Sequence, residues 1–494
     1  MPKRSSFITL AAIDLDRSAP TALHRQLYYR LSHAILTRRL VPGTRLPPTR
    51  ALAAELGVAR NTVVNAFEQL LAEGYIEGKV GSGTYVSHAL PDDMLQTRAK
   101  TSPPTRTLSS SAPLSKRGTI IAATPAKQWQ DSGRPRAFRP GIPAIDEFPF
   151  EVWRQLANKR WRTLARDYLS YGEPEGYPPL RQAIAAYLGQ ARGVRCEPDQ
   201  VIIVAGSQQA LDLAARLLLD PGDVAWIEEP GYRGARGALL AAGAKLAPVP
   251  VDAEGLRVDV GIRKAKSARV AYVTPSHQYP MGVTMSLARR LKLLEWAAQS
   301  NAWILEDDYD SEYRFSGRPL TALQGLDNAN RVIYIGTFSK VLFPALRLGY
   351  LVVPPNLVDA FIAARVMTDR QAPVLDQAVL ADFIAEGFFA RHLRHMRTLY
   401  AERRAALVEA IARELGGMLE ITSEPAGLHV MARLPPGVDD QKMAQRAAAH
   451  NVEAPALADY ALTHLPRGGL VLGYAAVAES EIREGVRRLR AAIK

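Results

Sequence analysis

Val332-Ile333-Tyr334-Ile335-Gly336-Thr337-Phe338-Ser339-Lys340 is an apolar run of strand length that breaks into small, hydroxylated residues and then a lysine. The same grammar recurs through the second half of the chain. Residues 201–204 precede an apolar-periodic stretch at 211–219, 224–227 precede 234–242, 270–273 precede 287–300, and 303–305 lead on to 332–335. Short, continuously apolar runs alternating with helical stretches predict a mainly parallel α/β sheet buried on both faces. In such a sheet ligands sit beyond the carboxyl ends of the strands. The residues just past each run are therefore the place to look for chemistry.

Those strand ends carry a coherent set. Ala205-Gly206-Ser207-Gln208-Gln209 leads into a helix start, where free N–H groups and the helix dipole favour a phosphate. Glu228-Glu229-Pro230-Gly231-Tyr232 presents an aromatic, and Thr274-Pro275-Ser276-His277-Gln278-Tyr279-Pro280 comes after the third run. Glu306-Asp307-Asp308-Tyr309 comes after the fourth, and Arg347 lies seven residues past Lys340. One ligand uses all of them. A phosphate takes Ser207, Thr337 or Ser339, and Arg347; a flat heteroaromatic ring stacks on Tyr232. A protonated pyridine nitrogen takes a carboxylate such as Asp307, a phenolic oxygen takes Tyr309, and an aldehyde takes Lys340 as a Schiff base. That ligand is pyridoxal 5'-phosphate. The candidate cofactor set is Gly206, Ser207, Gln208, Tyr232, His277, Gln278, Asp307, Tyr309, Thr337, Ser339, Lys340 and Arg347, with Lys340 the candidate catalytic residue.

The first 86 residues read differently. Leu23, Leu27, Leu31 and Ile35 mark one face of a helix that Val41-Pro42-Gly43 ends. Thr49 caps a short second helix with Leu52 and Leu56 inward and Gly57 closing it. A third helix over about 61–73 buries Val63, Phe67 and Leu70, and short strands at 75–77 and 84–86 flank a turn. Two short helices joined at a glycine have helix-turn-helix architecture. The third helix then starts with Arg60, Asn61 and Thr62 and shows Asn65 and Glu68, the types and positions suited to reading base edges. Arg45 and Arg50 suit phosphates, and Lys79 and Gly81 belong to a candidate wing. Double-stranded DNA is the implied partner.

Charge supports the division. Of 62 Lys+Arg and 49 Asp+Glu, residues 1–86 hold 11 and 6, residues 87–140 hold 9 and 3, and the remainder holds 42 and 40. The excess of +13 is thus +5, +6 and +2, concentrated where a polyanion would bind. Residues 88–137 are rich in Ser, Thr, Pro and Arg, with no apolar periodicity. They read as a flexible linker spanning roughly 40 Å root-mean-square. At 494 residues the chain has room for about three domains. No run approaches the ~20 apolar residues of a membrane span, no secretory signal is visible, and one cysteine, Cys196, excludes an internal disulfide or a cysteine zinc site. A cytoplasmic protein with no metal is expected.

The N-terminal pattern Leu46-Pro47, Arg50, Leu52-Ala53, Leu56-Gly57-Val58, Arg60-Asn61-Thr62-Val63, Glu73-Gly74-Tyr75-Ile76 and Gly81-Ser82-Gly83-Thr84-Tyr85-Val86 resembles the winged helix-turn-helix of the GntR regulators. Residues from about 138 to 494 resemble the fold-type I aminotransferases, through Thr274–Gly282, Glu306–Arg314 and the Gly336–Lys340 and Arg347–Tyr350 stretches. The whole chain resembles the MocR/GabR subfamily, which joins the two. That resemblance implies a DNA-binding domain at 1–87, a linker at 88–137 and a cofactor-binding domain with a smaller C-terminal α/β domain at 138–494. It implies Lys340 as the aldimine lysine, Asp307 as ring-nitrogen partner, Tyr309 as O3' partner, Tyr232 as stacking residue and Arg347 as phosphate ligand. It implies a head-to-tail homodimer that senses an amine, an amino acid or the cofactor itself. One departure stands out. Aminotransferases hold the substrate carboxylate with a small-domain arginine, but the corresponding strand reads Gly469-Leu470-Val471-Leu472-Gly473-Tyr474. Arg433 and Arg467 are the nearby candidates, and Arg233 and Arg236 flank Gly234, where the resemblance implies an effector-binding arginine just after Pro-Gly-Tyr. The departure favours sensing over turnover; a working aminotransferase tethered to DNA and a cofactor-free architectural DNA binder are the rival readings.

Overall fold

The computed structural model describes residues 14–79, 82–88, 114–123, 135–163, 170–315, 317, 320–422 and 425–493. The chain divides into two compact units between Ala112 and Pro113.

The first unit packs α1 (Leu23–Leu36), α2 (Thr49–Leu56) and α3 (Arg60–Ala72) beside the hairpin β1 (Ile76–Lys79) and β2 (Gly83–Val86). Leu27, Leu31, Ile35, Leu52, Val63, Phe67 and Leu70 share its core. Gly57 takes the left-handed conformation (φ 63°) that closes α2. The backbone at 43–46 joins the hairpin, with Leu46 N–H donating to Thr84 O at 2.9 Å and Arg45 bridging Tyr85. Two expectations need correction. The first helix stops at Leu36, ahead of Val41-Pro42-Gly43, because Arg38 turns left-handed (φ 57°) and Leu40 N–H bonds back to Ala34 O. Thr49 does not cap α2 either. Pro48 occupies the N-cap in extended geometry, which moves Thr49 inside the helix.

The second unit opens with α4 (Lys116–Ala123), α5 (Phe150–Arg162) and α6 (Pro178–Arg192). An eight-stranded sheet comes next: β3 (Val201–Val204), β4 (Val224–Glu229), β5 (Lys245–Asp252), β6 (Gly255–Leu256), β7 (Val270–Val273), β8 (Trp303–Asp308), β9 (Val332–Thr337) and β10 (Gly349–Val352), in the order β3-β10-β9-β8-β7-β4-β5-β6. The pairs β4/β5, β4/β7, β7/β8 and β8/β9 are parallel, and β10 runs antiparallel to both neighbours. The connections carry α7 (Ser207–Leu218), α8 (Arg233–Ala241), α9 (Val258–Ala265), α10 (Leu287–Gln299) and α11 (Leu323–Leu326). Then come α12 (Val358–Asp369), α13 (Val374–Ala385) and the long α14 (Phe388–Leu415). A three-stranded antiparallel sheet, β11 (Glu420–Ile421), β12 (His429–Arg433) and β13 (Gly469–Gly473), closes the chain with α15 (Asp440–Ala449) and α16 (Glu479–Ile493).

Alternate strand residues explain the unbroken apolar runs. Ala225 and Ile227 enter one core with Tyr272 and Leu305, under α7 and α8. Trp226, between them, enters the opposite core with Ala271, Ile304 and Trp296. Both faces are covered, so no position along these strands is left for a polar side chain until the strand ends.

The stretch read as linker holds α4, which lies against α8. Its side chains are exposed apart from a half-buried Gly118, so no apolar stripe announces it. Among the described residues no helix is long and apolar enough to cross a membrane.

Candidate functional site

The carboxyl ends of the parallel strands converge as expected. Gly206 is the N-cap of α7 at φ 93°, and Gly349 approaches it so closely that a Cβ there would lie 2.9 Å from Gly206 Cα. Arg347, itself left-handed at φ 50°, donates from Nη2 to Ala205 O at 2.5 Å. Its guanidinium therefore stands over the first turn of α7, where Ser207 is half-buried. Thr337 Oγ1 accepts the Ser339 N–H at 3.2 Å, while Ser339 Oγ is buried with no partner. A helix start, a guanidinium and an unspent hydroxyl form a cradle suited to a phosphate.

Lys340 Nζ donates to Gly141 O at 2.7 Å, and Gly141 (φ 77°) has no Cβ to meet it; one would sit 3.2 Å from Nζ. Asp307 Oδ2 accepts from the Tyr272 hydroxyl at 2.8 Å, and Oδ1 is buried and unpaired. Burial pushes its pKa up to about 7, against the opposing pull of Tyr272 and Lys340. The bare, buried Oδ1 is the acceptor a protonated ring nitrogen needs, and the positive charge of such a nitrogen would favour the ionised carboxylate that burial alone disfavours. These unspent atoms, Asp307 Oδ1 and Ser339 Oγ, are where pyridoxal 5'-phosphate would make its contacts, so the residues present fit the group.

Tyr232 caps α8, and Gly234 lets its ring and Gln208 Oε1 approach to where a Cβ would be 2.5 Å from each. Gln208 Nε2 donates to Gly234 O at 3.1 Å, bracing that helix start. Gln278 is spent on the scaffold. Its Nε2 donates to Glu228 Oε2, Pro230 O and Tyr279 O, and its Oε1 accepts from Met281 N–H. Glu228 also receives Thr274 N–H and Oγ1, and burial pushes its pKa up to about 7. His277 and Tyr309 come together, with Tyr309 Oη 3.1 Å from His277 Nδ1. Asp310 and His429 bring their ligand atoms and that of His277 within 4.8 Å of one another. Hydrogen bonds from His277 to Asp310 tie two of the three together, and His429 Nε2 donates to Pro280 O at 3.1 Å.

Tyr279 joins the site although its place in the motif alone does not single it out. Its ring centroid lies 6.0 Å from that of Tyr232, 5.9 Å from Tyr309 and 5.3 Å from Tyr460, and its hydroxyl donates to Tyr460 Oη at 3.1 Å. Val471 of β13 packs with Met281, Met431, Leu457 and Tyr460 in a small apolar cluster. Arg467 is committed to Leu434 O and Glu420, and Arg433 to Arg467 O. Arg233 and Arg236 open α8 directly after Tyr232, where burial and mutual repulsion hold Arg236 below its usual pKa. Only sequence-distant packing brings Tyr460, Gly141 and His429 to this place. Tyr279 and Asp310, by contrast, lie inside the Thr274–Gly282 and Glu306–Arg314 stretches, where their adjacency to His277 and Tyr309 is the signal that could have found them.

In the first unit, Arg60, Asn61 and Asn65 occupy α3, Arg60 and Asn61 exposed and Thr62 half-buried. Arg50 is exposed on α2 and Arg45 on the segment paired with β2. Lys79 ends β1, 3.5 Å from Glu77 and over the Tyr85 ring. Gly81 lies outside the described residues. Arg17, unforeseen, donates to Gly57 O at 2.6 Å and so adds a cation at the turn.

Comparison with known proteins bears on both units. Residues 23–86 match the model of bacterial regulatory proteins, gntR family, and residues 141–489 match aminotransferase class I and II. The chain is 46% identical over 97% of its length to 95% of the probable rhizopine catabolism regulatory protein MocR of Rhizobium meliloti. It is 33% identical over 96% of its length to 97% of the HTH-type transcriptional regulator TauR of Rhodobacter capsulatus. Among solved structures, the α-aminoadipate aminotransferase LysN of Thermus thermophilus, complexed with N-(5'-phosphopyridoxyl)-L-leucine, superposes with a TM-score of 0.71 at 31% identity, covering 77% of this chain and 97% of that one.

Proposed function

Because this chain belongs to the MocR-like transcription regulators, a gntR-family DNA-binding domain joined to a class I and II aminotransferase domain, we propose that it reads promoter DNA under the control of a small amine or amino acid, or of pyridoxal 5'-phosphate itself, captured at Lys340. The observation that carries this reading is the pair of buried, unspent atoms Asp307 Oδ1, at the end of β8, and Ser339 Oγ, just past β9. When bound, the cofactor supplies an electrophilic carbon that a primary amine can take over from Lys340. The chain's own residues do the rest. Arg347, Ser339 and the α7 N-terminus hold the phosphate, Tyr232 covers the ring and Tyr309 meets its phenolic oxygen. Residues 1–87 form the reader, 88–137 the connection and 138–494 the sensor, acting as a head-to-tail homodimer in the cytoplasm.

A ligand shifts DNA binding only by its differential affinity for two arrangements of the protein. A coupling of about 1–3 kcal/mol changes DNA affinity roughly 5–150-fold. The test is fluorescence anisotropy on DNA flanking the protein's own gene at one fixed moderate salt concentration, with and without pyridoxal 5'-phosphate and a panel of amines. Ligand-dependent affinity that Lys340→Ala abolishes supports the reading; absence of binding to any such fragment, or a response untouched by Lys340→Ala, overturns it.

The intact Lys340 and Asp307 favour one second reading, a tethered aminotransferase. Sustained turnover of an amino acid with a keto acid at about 1 s⁻¹ or faster, an ordinary enzyme rate, would establish it. A β13 without arginine weighs against efficient turnover.

A further inference from the structure

His277 and Asp310 are buried to within 2% and 1% of full enclosure, directly behind Tyr309. Three oxygens surround His277 Nδ1: Asp310 Oδ2 at 3.0 Å, Asp310 Oδ1 at 3.1 Å and Tyr309 Oη at 3.1 Å. A ring nitrogen carries at most one proton, and an ionised carboxylate only accepts. With Asp310 ionised, Nδ1 must therefore be the donor. Nε2 is buried with no acceptor, which disfavours the other tautomer. Tyr309 Oη then faces an N–H. It accepts from that side, and its own proton is forced to turn away from His277.

We propose that the His277–Asp310 dyad is a positioning device that aims the Tyr309 hydroxyl proton out of the protein wall and at the phenolic oxygen of the bound cofactor. The inference rests on the cofactor reading above. It assigns to two residues a role that neither motif nor proximity to Lys340 would give them.

The dyad is built to stay put. A Cβ on Gly427 (φ 71°) would fall 2.1 Å from His277 Cε1 and 2.5 Å from Asp310 Oδ2, so glycine lets the backbone close over both side chains. That backbone is itself fixed: Gly427 N–H donates to Tyr313 O at 2.7 Å, and the Tyr474 hydroxyl donates to Gly427 O at 2.5 Å. The ring cannot swing to offer Tyr309 a lone pair. Arg192, Arg314 and Ser276 border the dyad on one side. On the other, His429 stands 4.9 Å from the His277 ring, centroid to centroid. Asp307 and Glu228 bear on Tyr309, and Asp308 on Asp310.

The phenolic oxygen of the cofactor shares a proton with the nitrogen that links it to Lys340. A hydroxyl that donates to this oxygen stabilises the anion left when the proton departs, and so lowers the pH at which the visible band titrates. Losing the aimed donor raises that pH. The experiment is a pH titration of the visible absorbance of holoprotein for wild type, Tyr309→Phe, His277→Phe and the double variant. His277→Phe is expected to raise the midpoint by about one pH unit, a tenfold shift, in the same direction as Tyr309→Phe. The double variant is expected to go no further than Tyr309→Phe alone, because the dyad acts through that hydroxyl. His277→Asn, whose amide nitrogen replaces Nδ1 as donor to Asp310, is expected to restore the wild-type midpoint. If His277→Phe does not retain the cofactor, Asp310→Leu carries the same expectation. An unchanged midpoint in His277→Phe or Asp310→Leu, or shifts that add in the double variant, overturns the proposal. A wild-type protein that binds pyridoxal 5'-phosphate without any visible band attached to Lys340 overturns the cofactor reading instead.

Discussion

Gly206 and Arg347 meet at the carboxyl end of the sheet so closely that even a Cβ on Gly206 would crowd the guanidinium. A Cβ on Gly206 would stand 3.3 Å from Arg347 Nη2, and Gly206 holds φ 93° and ψ 174°, a region essentially reserved to glycine. The guanidinium thereby reaches the backbone of Ala205 and lies over the free N–H groups of α7. Alanine at 206 costs about 1–3 kcal/mol of backbone strain and displaces the arginine. Gly206→Ala is expected to weaken pyridoxal 5'-phosphate binding about tenfold or more, a loss of about 1.4 kcal/mol or above, as read by absorbance titration. An unchanged cofactor affinity would remove Arg347 and the α7 N-terminus from the phosphate site.

Asp307 makes the cofactor-free protein sensitive to pH in a definite direction. Burial raises its pKa from 3.8 to about 7. Between those values the folded protein holds a proton that the unfolded chain releases, so stability falls as pH rises through the window. Glu228, Glu306 and Glu312, raised to about 7 by the same cause, add to the slope. Asp307→Asn is expected to flatten the decline between about pH 5 and about pH 7, measured as urea midpoints of apoprotein. Saturating cofactor, whose ring nitrogen supplies a positive partner, is expected to flatten it in the wild type as well. A slope equal to wild type in Asp307→Asn would mean that the carboxyl is already ionised at the lower pH.

Glu229 joins the end of β4 to the segment before β13. Its Oε1 receives Leu462 N–H and Thr463 N–H at 2.6 Å each and Thr463 Oγ1 at 2.9 Å, while Gly231 N–H donates to Tyr460 O at 3.0 Å. Glu229→Ala strands these donors and is expected to destabilise by about 1–3 kcal/mol in chemical denaturation. Tyr460 is the neighbour of Tyr279, so the same change is expected to alter amine affinity of the holoprotein. Stability loss with amine affinity untouched would confine Glu229 to a structural tie.

Much of this architecture is legible because both faces of the sheet are covered. Where Trp226 and Ile227 point opposite ways into separate cores, the sequence has to stay apolar until the strand ends, and the first polar residues mark the crevice. That is why Asp307, Lys340 and Arg347 can be picked out together. β5 is hidden because Pro248 and Pro250 interrupt a run whose burial alternates, and β10 because it enters antiparallel between β9 and β3 without a crossover helix. Gly141, His429 and Tyr460 reach the site across more than a hundred residues of chain, and no local pattern carries such a distance. The helix α4 is invisible for the opposite reason: it buries none of its side chains fully, and periodicity reports only burial.

The candidate DNA contacts stand out by the same logic of exposure. Arg60 and Asn61 project from the first turn of α3, whose opposite face is held by Val63, Phe67 and Leu70 in a core of its own. Each, if bidentate to a base, contributes about 1–3 kcal/mol of discrimination. Arg60→Ala and Asn61→Ala are expected to lower specific DNA affinity by roughly 5–150-fold while leaving non-sequence-specific binding and the visible absorbance of the cofactor unchanged. Arg50→Ala, at the candidate phosphate contact, is expected instead to weaken specific and non-specific DNA alike and to reduce the salt slope of log K by about one. Anisotropy titrations over a salt series with a specific and a scrambled duplex distinguish the two behaviours. An Asn61→Ala variant that loses both duplexes equally would move α3 from base reading to backbone anchoring.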